Sequence, residues 1–419
     1  MFSKLIDNVF VFVALMIVYR LSLDYAYSNT VSPFFSYAGL TYEPDIVCKT
    51  ISIISFAFGT AFILPHRKMQ TVFSSQILMF FYLLAFVPMT SFWACKIQKM
   101  EFMVAAIIFG VIFYMAMNFV KGTDFTKYIK YNPKWIDVLA VTMCLVIVFI
   151  SGYYANFRIH LSISDVYDLR TEARGYNMPS ILSYIFGASK NVLPLALIYY
   201  LDNKRKLMSY ILIFICLLNF SIAGLKTTLF NMLICIVLYL FKKNNLSKLL
   251  PYAFVLLVVI VIIEYQITDY SLISVYLLRR GFYLPNLLDM YYFDYISNTT
   301  PLYFQAPKLD LSFIIGSLYL DNDQTRANNG LLSDAFANLG YIGVVVFPLI
   351  YAYIFKSCER SFKYVNPNQA LFTAFLIMHT LRSAFLTTSL LTHGVFLLIL
   401  AMMFMSKPPQ YNQLYQKVN

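Results

Sequence analysis

Apolar stretches of about 20 residues, separated by short polar runs, recur along almost the whole of this 419-residue chain. A helix rising 1.5 Å per residue needs about that many residues to cross a ~30 Å hydrocarbon layer. The pattern predicts about twelve transmembrane helices, at roughly 6–27, 46–64, 72–92, 101–120, 136–155, 180–201, 207–224, 227–241, 249–267, 335–355, 370–386 and 388–406. Most connections between them are minimal. Two are not, about 156–179 and about 267–334, and connections of that length usually carry function. The expected fold is therefore one polytopic, all-α membrane domain over 1–419, with two enlarged loops.

Charge orients this arrangement. With the N-terminus on the cytoplasmic side, the short loops and tails that hold Arg67–Lys68, Lys127, Lys204 to Lys206, Lys242–Lys243 and Lys356 are cytoplasmic. That is the side where lysine and arginine collect. Both termini are then inside, both long loops are periplasmic, and most of the acidic residues lie at or beyond the outer face. The net charge of +12 is dispersed through these loops, so no nucleic-acid partner is expected. A content of 60% hydrophobic and 12% charged residues agrees with a membrane protein. The first apolar segment reads as a retained helix, since it is long and no small-residue cleavage site follows it. No CxxC or Cys/His cluster occurs among the six cysteines, so neither a metal nor a disulfide framework is expected, and no cofactor.

The loops hold the candidate chemistry. In SISDVYDLRTEARGY the pair Ser162/Asp165 fits a capping box and Gly175 a helix end, which predicts a short amphipathic helix over about 164–174. Arg170 and Arg174 are four apart on it and share a face, with Asp168 and Glu172 interleaved and Arg158 and His160 just before. Paired guanidinium forks suit a diphosphate; ion pairs on a solvated helix would use the same residues. In the second loop Arg279 and Arg280 are expected to end one helix at Gly281, with Pro285 opening the next. They suit either the helix dipole or an anionic lipid headgroup. Lys308 and Arg326 follow, then Asp334 at the entry to the next span. Asp321-Asn322-Asp323 matches a metal-binding DxD formally and reads better as an exposed acidic loop. Lys226, with Thr227 or Thr228, marks the N-terminus of a helix, where anions bind readily. Among ionisable groups inside predicted spans, Arg20 and Asp24 are spaced to pair with each other. Lys49, Lys190 and His393 lie near span ends. Arg382, with His379 one turn earlier, has no acid in its own helix to neutralise it.

The twelve-span layout with two enlarged outer loops, together with RRGFYLPNLLDMYYFDYI and GLLSDAFANLGYIGVVVFPLIYAYIF, resembles the Wzy family of O-antigen repeat-unit polymerases. The resemblance implies a metal-independent glycosyltransferase similar to the GT-C membrane type. It would sit in the bacterial inner membrane with its active face periplasmic. It would move a growing glycan from undecaprenyl diphosphate to the non-reducing end of a lipid-linked repeat unit. Partners implied are these lipid-linked oligosaccharides, membrane lipids, a chain-length regulator and a flippase of the same pathway. Arg170, Arg174, Arg279 and Arg280 would stabilise the leaving diphosphate, and Asp168 or Glu172 would deprotonate the acceptor hydroxyl. Lys226, Arg382, His379, Arg326, Tyr291 and Tyr292 would hold substrate, the tyrosines by stacking on sugar rings. Two other readings stay open: a flippase of lipid-linked oligosaccharides, and an O-antigen ligase differing mainly in acceptor.

Overall fold

The computed structural model describes residues 6–68, 71–129, 131–160, 166–241, 246–305, 310–321, 323 and 325–406. Among them the chain is helical without strands, its one extended pairing being an isolated bridge between Glu43 and Lys96. Among the described residues nine helices are long and apolar enough to cross a membrane. They are α1 (Val9–Ala38), α2 (Ile46–Arg67), α3 (Phe73–Cys95), α4 (Met100–Phe119), α5 (Lys134–Ala155), α7 (Ser180–Asp202), α8 (Lys206–Ala223), α10 (Leu246–Thr268) and α13 (Leu332–Ser361). The shorter elements are α6 (Val166–Arg174), α9 (Lys226–Leu240), α11 (Leu284–Ser297), α12 (Leu311–Leu320), α14 (Pro367–Ser383), α15 (Leu386–Leu391) and α16 (Val395–Met405).

Each of the twelve apolar segments is helical, yet three of them fall short of a full span by length. The segment expected at 388–406 is broken in two. Gly394 takes a left-handed turn (φ 73°) directly against Ala188, where any Cβ would lie 2.6 Å from that residue's own Cβ. A residue limited to right-handed backbone cannot continue the helix through that contact. The two basic residues Arg279 and Arg280 do not end a helix either. They lie in a π-helical stretch, Ser274–Tyr283, that runs on into α11. Pro285 carries no N–H, so the carbonyl register ahead of it shifts, and the N–H of Leu284 bonds back five residues to Arg279. The capping box Ser162/Asp165, Lys308 and Asn322 lie outside the described residues.

The chain divides into two compact units. Unit 1 comprises Met1–Gly122, Ser247–Lys356 and Leu381–Leu386; unit 2 comprises Thr123–Leu246, Ser357–Thr380 and Thr387–Asn419.

Inside unit 1, helix irregularities supply acceptors for buried tyrosines. α3 is π-helical over Phe81–Phe86, one turn ahead of Pro88, so the N–H of Val87 reaches back to Tyr82. The carbonyl of Leu83 is released from the ladder and accepts the hydroxyl of Tyr19 at 2.8 Å. Tyr283 donates to the carbonyl of Leu23 at 2.8 Å, which also accepts the Tyr27 N–H where α1 passes into its π turn. A buried hydroxyl without such a partner would cost ~1–3 kcal/mol. Arg20 pairs with Asp24 as its spacing suggests, and its other nitrogens reach Thr90 (3.1 and 2.7 Å) and Ser52 (3.2 Å). Asp24 in turn accepts the Ser91 hydroxyl at 2.6 Å. This cluster is closed on itself and structural.

In unit 2, α6 turns Val166 and Leu169 inward, both buried, and Gly224 at the end of α8 sits on the Val166 backbone. That contact seats the short amphipathic helix.

Candidate functional site

Within unit 1 a small cavity of about 30 Å³ lies between α3, α4, α11, the start of α13 and the end of α14. Its wall is apolar along α3 and α4, through Phe86, Met89 and Phe109, and polar on the opposite side, through Asn286, Asp289, Asn329 and Arg382. Room exists there because the neighbouring residues are small: Phe86 lies on Gly59 and reaches within 3.4 Å of a Cβ placed at Gly110.

Arg382 is 8% exposed. One terminal nitrogen donates to the carbonyl of Phe282 at 3.0 Å and to Oδ1 of Asn286 at 3.3 Å. Its Nε is buried without a hydrogen-bond partner. The position of this arginine is set by the corner that follows it. The α14 helix ends at Ser383 and α15 begins at Leu386, whose N–H donates to Oδ2 of Asp334 at 2.6 Å. Oδ1 of Asp334 is held by Asn338 at 2.7 Å and the Tyr351 hydroxyl approaches Oδ2 at 3.4 Å. Gly330 packs flat on the carbonyls of Leu381 and Ala384, leaving no space for a side chain.

Asp289 supplies the opposite charge. Its Oδ1 accepts from the Asn329 amide (3.0 Å), the Ser333 N–H (3.1 Å) and the Ser333 hydroxyl (2.6 Å). Those donors belong to the first turn of α13 and the residues before it, where the helix dipole favours an anion. Oδ2 has no hydrogen-bond partner among the described residues. Asp289 and Arg382 interact electrostatically across the cavity, and no direct ion pair joins them among the described contacts. A cation with an uncommitted N–H and a carboxylate with an uncommitted oxygen thus share one apolar-walled space. Such a pair can stabilise a departing anion on one side and take a proton on the other.

Of the candidates named from sequence, Arg382 alone lines this cavity. Within unit 1, Arg279 lies over the ring of Phe35 at 4.0 Å and Arg326 over that of Phe313 at 4.8 Å, both cation–π contacts. Arg280 is exposed on the π-helical stretch. Tyr292 is buried and donates to the carbonyl of Ala327 at 3.0 Å, so it is a core residue and not a platform for sugars. Tyr291 is stacked on Tyr319 at 4.6 Å. Asp321 ends α12 in a left-handed turn and Asp323 accepts from Ser317.

The remaining candidates belong to unit 2. Glu172 is ion-paired to Arg158 at 2.7 Å and accepts the Tyr176 hydroxyl at 2.9 Å. These contacts hold its carboxyl below the ordinary range, which suits a structural tie better than a base. Asp168 and Arg174 are exposed and Arg170 is half-buried on the same helix. Lys226 begins α9, and His379 stacks on Phe375 at 5.8 Å.

Asp289, Asn286 and Asn329 were not singled out from sequence. Asp289 lay within the quoted segment RRGFYLPNLLDMYYFDYI, and the signal that finds it is a carboxylate in an apolar helical run with no basic residue one turn away. The chain matches no protein-family model, no curated protein and no solved structure.

Proposed function

We propose that the protein is a membrane glycosyltransferase that polymerises oligosaccharide repeat units carried on a polyprenyl diphosphate, at the periplasmic side of a bacterial inner membrane. The observation that carries the reading is the Arg382–Asp289 cavity in an all-helical, membrane-spanning unit. A lipid-linked sugar presents an anionic leaving group and a long apolar tail, and this cavity offers a buried guanidinium between apolar helices.

In the proposed reaction Oδ2 of Asp289 accepts the proton of the acceptor hydroxyl. The freed oxygen pair forms a bond to the anomeric carbon of the donor sugar. The bond from that carbon to the carrier phosphate breaks, and its electron pair leaves with the polyprenyl diphosphate. Arg382 stabilises the charge that develops there, a role that needs no metal ion. Asn286 and the Asp334 corner position Arg382, and the first turn of α13 positions Asp289. The lysine-rich short loops support the orientation, since they are expected in the cytoplasm.

Deletion of the gene in its host, with surface lipopolysaccharide resolved on a gel, tests the reading. Loss of the ladder down to core carrying one repeat unit is the expected result, restored by the wild-type chain and not by Arg382→Met or Asp289→Asn. Loss of every repeat unit from the core would overturn it, because flipping or ligation would then be the missing step.

A further inference from the structure

The cavity that holds Arg382 and Asp289 is closed in this conformation. At about 30 Å³ it has room for about two water molecules, and a sugar ring is many times larger. Its polar side is tied together by the hydrogen bonds of Asp289, Asn329 and Asn286, and its apolar side is not. Phe86, the last residue of the π turn Phe81–Phe86, lines that apolar side and is buried. Its ring stands between glycines of the two flanking helices. A Cβ at Gly59 on α2 would overlap it, and one at Gly110 on α4 would lie 3.4 Å away. Neither position offers a side chain to bracket the ring, and phenylalanine has no polar atom to anchor it. Tyr82, beside it at 6.1 Å, differs in that its hydroxyl is bonded to that of Thr60 at 2.6 Å.

From Phe86 a file of rings leads out to the surface of the unit. Tyr114 on α4 meets Phe86 edge-on at 6.4 Å and stacks on Phe62 of α2 at 5.7 Å. Phe62 is 40% exposed and Phe58, one turn before it, 64%. On a helix that crosses a membrane these exposed rings face acyl chains. The seam between α2 and α4 is thus filled by aromatic side chains from the lipid to the cavity. One of them is unsatisfied: the Tyr114 hydroxyl is buried without a hydrogen-bond partner, which disfavours the closed packing. The file also runs in the direction a lipid tail takes. Tyr114 lies roughly 21 Å along α4 from its first residue, Met100, at 1.5 Å per residue. That end of α4 is the one expected at the periplasmic face, so Tyr114 is past the middle of a ~30 Å hydrocarbon layer.

We propose that the seam between α2 and α4 is the entrance by which a polyisoprenyl chain passes between the bilayer and the Arg382 cavity, with Phe86 as its gate. When the ring swings away from Gly59 and Gly110, the cavity opens onto the Tyr114 file. The chain then takes the place of the rings, with its phosphate at Arg382. An isoprenoid suits this route better than a saturated chain, because its double bonds accept weakly from the Tyr114 hydroxyl. The identity of the chain rests on the polymerase reading; the route rests on the geometry of unit 1 alone.

The test uses the full-length protein in phosphatidylcholine vesicles. Trp93→Phe and Trp135→Phe remove both native tryptophans, and Phe109→Trp places a single reporter on the cavity wall. Phospholipid with brominated acyl chains quenches that fluorescence on contact. Phe86→Ala should raise the quenched fraction at least twofold over the parent, because chains then reach the wall. A polyprenyl monophosphate should reverse the gain, and phosphatidic acid at the same concentration should not. Melting temperature is recorded for each variant, and if Phe86→Ala misfolds, Phe86→Leu decides by the same criterion. An unchanged quenched fraction overturns the gate. Equal reversal by the two phosphate lipids, or reversal by neither, overturns the isoprenoid as its occupant. The lipopolysaccharide ladder is read separately. Quenching as expected beside an intact ladder in the deletion strain keeps the entrance and refutes the polymerase reading; a lost ladder beside unchanged quenching does the opposite.

Discussion

Replacing Arg382 by methionine separates a binding role from a structural one. The change removes two hydrogen bonds from a charged donor, to Phe282 and Asn286. Charged hydrogen bonds contribute about 1.5–3 kcal/mol each, so ~3–6 kcal/mol is lost. Against this, taking a guanidinium out of water costs several kcal/mol, and that cost disappears with the charge. The Phe282 carbonyl keeps its bond from the Asn286 amide at 2.6 Å, so no acceptor is stranded there. Met fills much of the arginine stem's volume, and the two terms nearly cancel. Stability should change by less than ~2 kcal/mol. Activity should behave differently, because one donor aimed at a developing anion is worth about 2.7–4 kcal/mol, or 10²–10³ in kcat. The assay is extension of a lipid-linked repeat unit by purified protein, resolved on a gel, beside thermal unfolding of the same preparation. Retention of activity would refute the placement of Arg382 at the leaving group. Collapse of the fold in step with activity would refute the cancellation and make the arginine a structural tie.

Asp289→Asn keeps an oxygen for the Ser333 donors and removes the proton acceptor, so the fold should persist while the rate falls roughly 10²–10⁴-fold; a loss of only a few-fold would exclude Asp289 as the base. Gly330→Ala places a methyl against the carbonyls of Leu381 and Ala384, and should destabilise unit 1 by ~1–3 kcal/mol and impair the same reaction, both read on the purified variant. Glu172 has a folded pKa below its unfolded value, about 4.3. Its contribution is therefore present above that value and is lost as pH falls through the folded pKa. Proteolytic cleavage around residues 158–176 should accelerate only in that acid range, and Arg158→Gln should be cleaved faster at neutral pH with less further change on acidification. The effect is small because the pair is half-exposed.

Helices in this protein are written locally. A run of apolar residues long enough to cross a bilayer must satisfy its backbone within itself, so the positions of the spans follow from composition, and the helices agree with those positions within a few residues over most of the chain. The pairing of Arg20 with Asp24 was legible for the same reason, since four residues make one turn. So was the short helix at 166–174. What local pattern does not carry is where irregularity pays off at long range. Pro88 and Pro285 are visible in the chain, but that the π turns beside them would release a carbonyl to Tyr19, or accommodate Arg279 and Arg280 without ending a helix, depends on neighbours far along the chain. The break at Gly394 exists because Ala188 occupies the space a side chain would need. The cavity draws on residues 86, 289, 329 and 382. Arginines crowded into loops attract notice from sequence, whereas single polar residues scattered through apolar helices do not. Their chemistry appears only when packing brings an unpaired donor and an unpaired acceptor to the same space, because burial in a low-dielectric interior is what makes each of them strong.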